Sequence, residues 1–382
     1  MSDSNVSGLE DTQTIRDAQS HLIALGYDLG RSGADGIWGQ RSTQAAIDWQ
    51  RVNGLSDENG FLNGDLNHEQ LSLLAQQAAD PAAFQRIRLA GFYNNFDETA
   101  LDHLDPVRRA LIKQAASHIG VTESDFTLAS NGEWYGNNAG PDIRVYLGSY
   151  HLDEGHPWCA SFGSWVFDQI EGFAGLERNE FMRGSASVET VFNRIRADAP
   201  QAIRDLQDYM PQAGDIVLMR YGNGHGHFMM VATAQTEGAL TELTTIEGNA
   251  YDSVMSDIRY IYTDPDTGRS HPVLETDDGE MEIRYDFDIA VIDISELPNY
   301  DRLSHAFNMS SGFIPTPSID PEFQPNLDNL NWLQDRLFQH QQGLPGSNPD
   351  QRVYAGVESQ DSPTQDVATE ERQQTPTVMP QF

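Results

Sequence analysis

Apolar positions recur three and four residues apart over the first part of the chain. Ile15, Ala18, Leu22 and Leu25 share one helical face, and Gly26-Tyr27 closes the run. A second helix is expected over 42–51, where Ala45, Ala46, Ile47 and Trp49 repeat, and a third over 67–74, with Leu71 and Leu74. Between the first two lies Gly33-Ala34-Asp35-Gly36-Ile37-Trp38-Gly39, whose glycines permit left-handed backbone while Ile37 and Trp38 supply anchors. Residues 14–76 therefore read as a small three-helix domain, with too little core for an enzyme and enough for a binding module. Residues 77–104, Ala- and Gln-rich at first, read as a linker with local helical propensity.

A new periodicity begins at Asp105-Pro106, a helix entry followed by Val107, Ala110, Leu111 and Ala115 on one face and ended by Gly120. Glu133-Trp134-Tyr135-Gly136-Asn137-Asn138-Ala139-Gly140-Pro141 is loop by composition. Phe162, Trp165, Val166 and Ile170 make a helix that starts after Pro157-Trp158, and further helices are expected over 185–195 and, entered through Pro200, over 201–206. After the turn Pro211-Gln212-Ala213-Gly214-Asp215 the pattern changes to short apolar runs between turn signals, over 216–219, 228–232, 243–246, 258–262 and 289–292. These read as strands of one antiparallel sheet, and helices followed by strands make 105–296 an α+β domain. The sheet pattern stops near 297. The C-terminal extension, 297–382, holds one amphipathic helix at about 327–340, on Leu327, Leu330, Leu333 and Leu337. It reads as a lid packed on the domain or a docking element for another protein. The Gln-, Pro-, Ser-, Thr- and Asp-rich tail beyond it is expected to be disordered.

Composition narrows the chemistry. A formal charge of −35 excludes the basic footprint that nucleic acid requires and disfavours docking on anionic lipid. No apolar run approaches the roughly 20 residues that span a bilayer. The first seven residues carry neither a basic nor an apolar region, so no classical signal peptide is expected. Lys113 is the sole lysine among 23 basic residues, an acid-rich, lysine-poor surface suited to salty surroundings. The chain has a single cysteine, which rules out an intrachain disulfide and leaves one thiol for chemistry.

That cysteine, Cys159, stands at the expected start of the Phe162 helix, where free N–H groups and the helix dipole favour a thiolate. A cysteine hydrolase also needs a base, an orienter for the base and donors to an oxyanion. His227 opens the 228–232 strand, while Glu247 and Asn249 close the next, and antiparallel neighbours bring such positions together. His225 lies two residues from His227, and strand alternation points both the same way; His227 is preferred because it adjoins the apolar run. His-x-His is also a zinc spacing, and His118 with Asp125 could complete such a site.

Leu22, Leu25-Gly26-Tyr27, Asp35-Gly36-Ile37-Trp38-Gly39, Thr43, Ala46, Trp49-Gln50 and Asn53-Gly54-Leu55 resemble the three-helix peptidoglycan-binding domain of cell-wall hydrolases. The pattern departs before the third helix, where Asp57-Glu58-Asn59-Gly60-Phe61-Leu62-Asn63-Gly64 replaces a second glycine-rich turn. Trp158-Cys159-Ala160-x-Phe162-x-x-Trp165, Ala213-Gly214-Asp215-Ile216-Val217, His227-x-x-x-Val231 and Ile246-Glu247-Gly248-Asn249 resemble the CHAP family. These are cysteine- and histidine-dependent amidohydrolases and peptidases of the papain-like, NlpC-type superfamily, and the likeness spans about 107–293. It implies a papain-like domain without cofactor or metal, with Cys159 as nucleophile, His227 as general base, Glu247 as its orienter and Asn249 assisting. It implies peptidoglycan as substrate and partner, cut at the muramoyl–L-alanine amide or within the stem or cross-bridge. Trp134, Asn137, Asn138 and Trp158 are the candidates for the cleft, and Asp35 and Trp38 for wall contact. A zinc-dependent wall peptidase and a non-catalytic wall-binding protein are the alternatives. Such a protein, made in the cytoplasm, would reach the periplasm or wall as an injected antibacterial effector, with a secretion carrier and an immunity protein as partners, or as a lysin released at lysis.

Overall fold

The Asp11 carboxylate accepts from the N–H groups of Gln13 (2.8 Å) and Thr14 (2.9 Å) and so starts α1, Thr12–Ala24. After the glycine loop comes α2 (Gln40–Val52), and α3 (His68–Ala79) opens on a reciprocal cap between Asn67 and Gln70. With α4 (Pro81–Arg88), these helices close over Leu22, Leu25, Trp49, Leu66, Leu74 and Phe84. The computed structural model describes residues 9, 11–27, 29, 32–55, 63–123, 127–128, 134–135, 138–222, 225–276, 280–310, 312–320 and 323–343. The replaced turn over 57–62 and the tail beyond 343 lie outside them.

The segment expected as a linker is folded. Phe84 of α4 completes the first core, whereas Phe92 of α5 (Ala90–Tyr93), Phe96 and Leu101 are buried in the second. Phe92 and Phe96, one helical turn apart, stack at 4.9 Å. The Ala and Gln around these aromatics gave the stretch a linker's composition, but burying four large side chains fixes it across both cores.

The second domain begins with α6 (Pro106–Ala116), capped by Asp105, and a short pair β1 (Thr127–Leu128) and β2 (Trp134–Tyr135). Then come α7 (Pro141–Gly148), α8 (Cys159–Phe173) and α9 (Val188–Asp198). The sheet is built from β3 (Ile203–Arg204), β4 (Ile216–Gly222), β5 (His225–Glu237), β6 (Leu240–Ala250), β7 (Ser253–Thr263), β8 (Ser270–Glu275), β9 (Met281–Ile283) and β10 (Asp288–Ile292). Its eight strands lie in the order β3-β10-β4-β5-β6-β7-β8-β9, every pair antiparallel, so the domain is α+β as the sequence predicts. The helix expected over 201–206 is instead a single 3₁₀ turn, Pro200–Ala202, leading into β3, because Ile203 and Arg204 pair with Ile292 and Val291 at the sheet edge. β8 and β9 carry too few apolar residues to announce themselves.

Strands β8 and β10 pack on one another although four strands separate them, so the sheet is strongly curled. Val217, Met219, Met229, Val231, Leu243, Ile261 and Val291 fill one face. Phe228, Met230 and Ile246 turn the other way, toward α8, in the alternation of a pleated sheet. Two glycines let α8 approach. A Cβ on Gly163 would fall 2.2 Å from the Phe228 ring, and one on Gly248 2.6 Å from the Phe162 Cβ. The Gly-Asp turn before β4 is a structural knot: the buried Asp215 carboxylate meets Arg108 (2.8 Å), the Tyr209 hydroxyl (2.6 Å) and the Gln212 N–H (2.8 Å).

The C-terminal extension belongs to this domain through residue 343. An unanticipated helix, α10 (Tyr300–Met309), buries Leu303 and Phe307. The strand-like strap after it is tied down by Lys113 Nζ on the Phe313 carbonyl (2.8 Å) and by Gln114 on Thr316. α11 (Leu327–Gln341) buries Leu330, Leu333 and Leu337 completely. Of the two readings of this helix, packing is the one observed. Asn329 bonds the backbone of Ser256, and Arg336 bonds Thr244 and Glu242. Among the described residues no helix is long and apolar enough to cross a membrane.

Candidate active site

α8 starts at Cys159 without a side-chain cap, so its first N–H groups are not satisfied by a neighbouring side chain. Burial pushes the Cys159 thiol up. The hydrogen bond and charge of His227, with the N–H groups of Phe228 and Ala160, outweigh it and leave the thiol below its ordinary value. The Sγ also lies 3.8 Å from the Gly226 carbonyl, at the start of β5.

His227 sits two positions along β5 from Met229, whose partner on β6 is Glu247, so the imidazole and the carboxylate are diagonal neighbours on one sheet face. His227 Nε2 lies 2.7 Å from Glu247 Oε2. Nδ1 is then the nitrogen left to face the thiol. Burial opposes charge on this imidazole, but Glu247 and Cys159 raise its pKa to about 10. The lowered thiol and the raised imidazole both favour the thiolate–imidazolium form of the pair, which titrates as one unit.

Glu247 is fully buried, and each of its oxygens is held. Arg259 on β7 donates to Oε1 (2.8 Å) and Oε2 (2.6 Å), and the Thr245 hydroxyl donates to Oε1 (2.5 Å). Burial alone would raise this carboxyl; Arg259 and then His227 hold it far below the usual carboxylate range.

The other candidates fall in different places. His225 is exposed, and it is His227 that meets Glu247. Asn249 touches the nucleophile's end of the site and not the imidazole. In the orientation that satisfies both ends of its amide, it donates to Glu123 Oε1 (3.3 Å) and accepts from the Trp158 N–H (3.1 Å). Asn138, half-buried and left-handed at φ 65°, meets Asn249 at 3.0 Å, and its own N–H bonds Glu123. Trp158 is wholly buried, packed on Tyr146 and Phe162 with its indole N–H on Glu123 (2.8 Å). The expectation that it lines the cleft is corrected: no surface of this ring is left for a polymer, and its work is to fix the entry to α8. Asn137 and the side chain of Trp134 lie outside the described residues, as does Asp125. His118 is buried, with its two ring nitrogens on the Tyr146 hydroxyl (2.6 Å) and the Thr316 carbonyl (2.8 Å), so it is not free to join a zinc site with His225 and His227. In the first domain Asp35 accepts from the Ile37 N–H (2.9 Å) and from Gln19 (3.1 Å), shaping a loop that presents Ile37 at 71 % exposure, with Trp38 half-buried beside it.

Residue reasoning missed Arg259 and Thr245. A charged residue within the apolar run Ile258-Arg259-Tyr260-Ile261, at the parity of Glu247, was the available signal for the first. Tyr221 packs on Phe287 at 4.6 Å, and its phenol is pushed up to about 12, by burial first and then by the Cys159 charge. Glu123 is the hub joining Trp158, Asn138 and Asn249.

The order and geometry of thiol, imidazole and carboxylate agree with comparison by family. The CHAP domain model matches residues 151–249, a span that contains Cys159, His227 and Glu247. Residues 151–249 form a CHAP domain. The peptidoglycan-binding domain model matches residues 11–66, over α1 and α2 and the loop between them. Comparison with curated proteins and with solved structures returned no match. The CHAP domain's match ends at Asn249, so Arg259, which anchors its buried carboxylate, lies beyond it. A CHAP domain beside a peptidoglycan-binding domain supports a peptidoglycan hydrolase.

Proposed function

We propose that the chain cuts an amide bond of peptidoglycan by a Cys–His thiolate mechanism. The observation that carries this reading is the line of groups from Cys159 through His227 to Glu247, with the last contact at 2.7 Å and its carboxylate buried and ionised. The Cys159 thiolate attacks the amide carbonyl carbon, and the oxygen of the tetrahedral intermediate takes up negative charge near the uncapped N–H of Cys159. His227 gives its Nδ1 proton to the departing amine, leaving a thioester. His227, now neutral, takes a proton from water as that water attacks the thioester, and the acid product leaves with the thiolate restored. Glu247 stays ionised throughout and stabilises the imidazolium.

The bond is the muramoyl–L-alanine amide or one in the stem or cross-bridge, and the thiol chemistry is the same for each. Action in the periplasm or wall, reached by injection or lytic release, belongs to the same proposal. So do a secretion carrier or an immunity protein as partner, although the leucine face of α11 is already packed on the domain and not open to a carrier. The test is release of new amino groups from purified peptidoglycan in the presence of a thiol-alkylating agent or a chelator. Loss with the alkylating agent and persistence with the chelator supports the thiol mechanism. The reverse pattern would establish the zinc alternative.

A further inference from the structure

A cavity of about 540 Å³ opens near the thiol but apart from it, between the stretch that follows α7, the stretch that follows α8 and the start of α9. Its volume is in the range of small-ligand sites, roughly 300–1,000 Å³. None of Cys159, His227 or Glu247 lines it. Its charge is the reverse of the molecule's. The chain has 58 acidic and 23 basic residues, yet the lining includes Arg178 and Arg194 and no Asp or Glu. A cationic concavity in an acidic surface gathers field lines toward an anion.

The two arginines are held differently. Arg178 at the rim is paired with Asp168 (2.7 Å) and lies over the Tyr150 ring (4.4 Å). Arg194, half-buried on α9, donates to the Gly184 carbonyl and makes no ion pair among the described residues. A guanidinium has five N–H donors, so most of Arg194's fork is uncommitted.

The cavity wall and the nucleophile share rigid elements. Ser164 lies five residues beyond Cys159 on α8, about 7.5 Å along the helix axis. Its hydroxyl both donates to the Ser185 carbonyl and accepts from the Ser185 N–H, each at 3.0 Å. Val188, the first residue of α9, packs against Gly226, whose carbonyl is the one beside Cys159 Sγ. The cavity and the thiol are therefore held at a fixed separation.

We propose that this cavity is the subsite for a carboxylate-bearing residue of the substrate's peptide, with Arg194 making the bidentate contact and Arg178 closing the rim. The inference rests on the hydrolase reading and adds to it: the enzyme selects stems with a free carboxylate over stems in which that group is a carboxamide. A planar guanidinium fork matches a carboxylate and not a carboxamide, which offers one acceptor and two opposing donors.

The probes are synthetic muropeptides in which each stem carboxylate in turn is replaced by a carboxamide. Binding to the full-length Cys159→Ala chain is measured by calorimetry, and cleavage of the same set by the wild type is followed in parallel. At one stem position the replacement weakens binding about ten- to a hundredfold, the size of a lost charge-assisted hydrogen bond. In the Cys159→Ala/Arg194→Gln chain, with an unchanged melting temperature, that preference disappears. Arg194→Lys, which keeps the charge and loses the fork, retains only part of it, and serves if the glutamine variant does not fold. Equal affinity for every member of the set overturns the subsite, as does a preference that survives both Arg194 variants. If the wild type cleaves none of the set while Cys159→Ala shows the Arg194-dependent preference, the subsite stands and the hydrolase reading falls. Cleavage without any carboxylate preference has the opposite meaning.

Discussion

Glu247 is where the chemistry of single residues is decided. A buried carboxylate without partners would be protonated or destabilising; with Arg259, Thr245 and His227 around it, the charge is kept and handed on as a raised imidazole pKa. Glu247→Gln keeps the size and removes the charge. We expect kcat/KM to fall about 10²–10⁴-fold, the usual worth of the proton transfer by His227 that Glu247 supports. The alkaline limb of the pH–rate profile should move down from about 10; a limb that stays in place shows that Glu247 does not set it. The same shift enters stability with a definite sign. His227 titrates higher folded than unfolded, so its contribution is whole below the unfolded value of about 6.5 and fades as pH rises through about 10. The wild type's stability advantage over Glu247→Gln, followed by chemical denaturation, should therefore be widest between about 4.5 and 6.5, shrinking below that window as Glu247 becomes protonated in the unfolded chain and above it as His227 loses its proton. Cys159, His227 and Glu247 were legible because each stands beside a punctuation mark in the sequence: Pro157, the glycine loop before β5 and the Gly248 that ends the apolar run. Arg259 was not, because it pairs across a strand whose register no local pattern fixes.

At the scale of elements, the site depends on how closely α8 lies on the sheet. The Gly163 contact with Phe228 leaves no room for a methyl group, so Gly163→Ala should cost about 1–3 kcal/mol in overpacking and lower the melting temperature. An unchanged melt would mean that helix and sheet are not in this contact. The periodicities for α1, α2, α6 and α8 and for the central strands were readable because each has one strongly apolar face. The folded segment 77–104 and helix α10 were not, since they contribute a few large side chains to cores assembled from distant parts of the chain. α11 shows the same limit from the other side: its stripe was visible, but its partners, Ser256, Thr244 and the second core, lie far away in sequence. Leu333→Ala should cost about 2–5 kcal/mol, as deletion of a fully buried leucine does, and calorimetric melting reads it directly. A free docking helix would lose almost nothing.

The whole molecule joins the domain that matches the peptidoglycan-binding model to the CHAP domain through helices whose side chains are buried in both cores, so the two are coupled more stiffly than a flexible tether would allow. Anchoring raises the local concentration of a polymeric substrate without adding a contact at the scissile bond. Trp38→Ala should accordingly weaken sedimentation with purified sacculi while leaving turnover of a small soluble muropeptide unchanged; equal losses in both would place Trp38 in the fold of the domain and not at its wall-facing surface. The claim on which the account rests is that Cys159 opens an amide bond, and mass spectrometry of peptidoglycan digested by the wild type and by Cys159→Ala tests it most directly. The wild type should release fragments carrying new amine and carboxyl ends with the glycan strands uncut, and Cys159→Ala should release none. The same fragments from both proteins, or new reducing sugar ends in place of new amines, would contradict it.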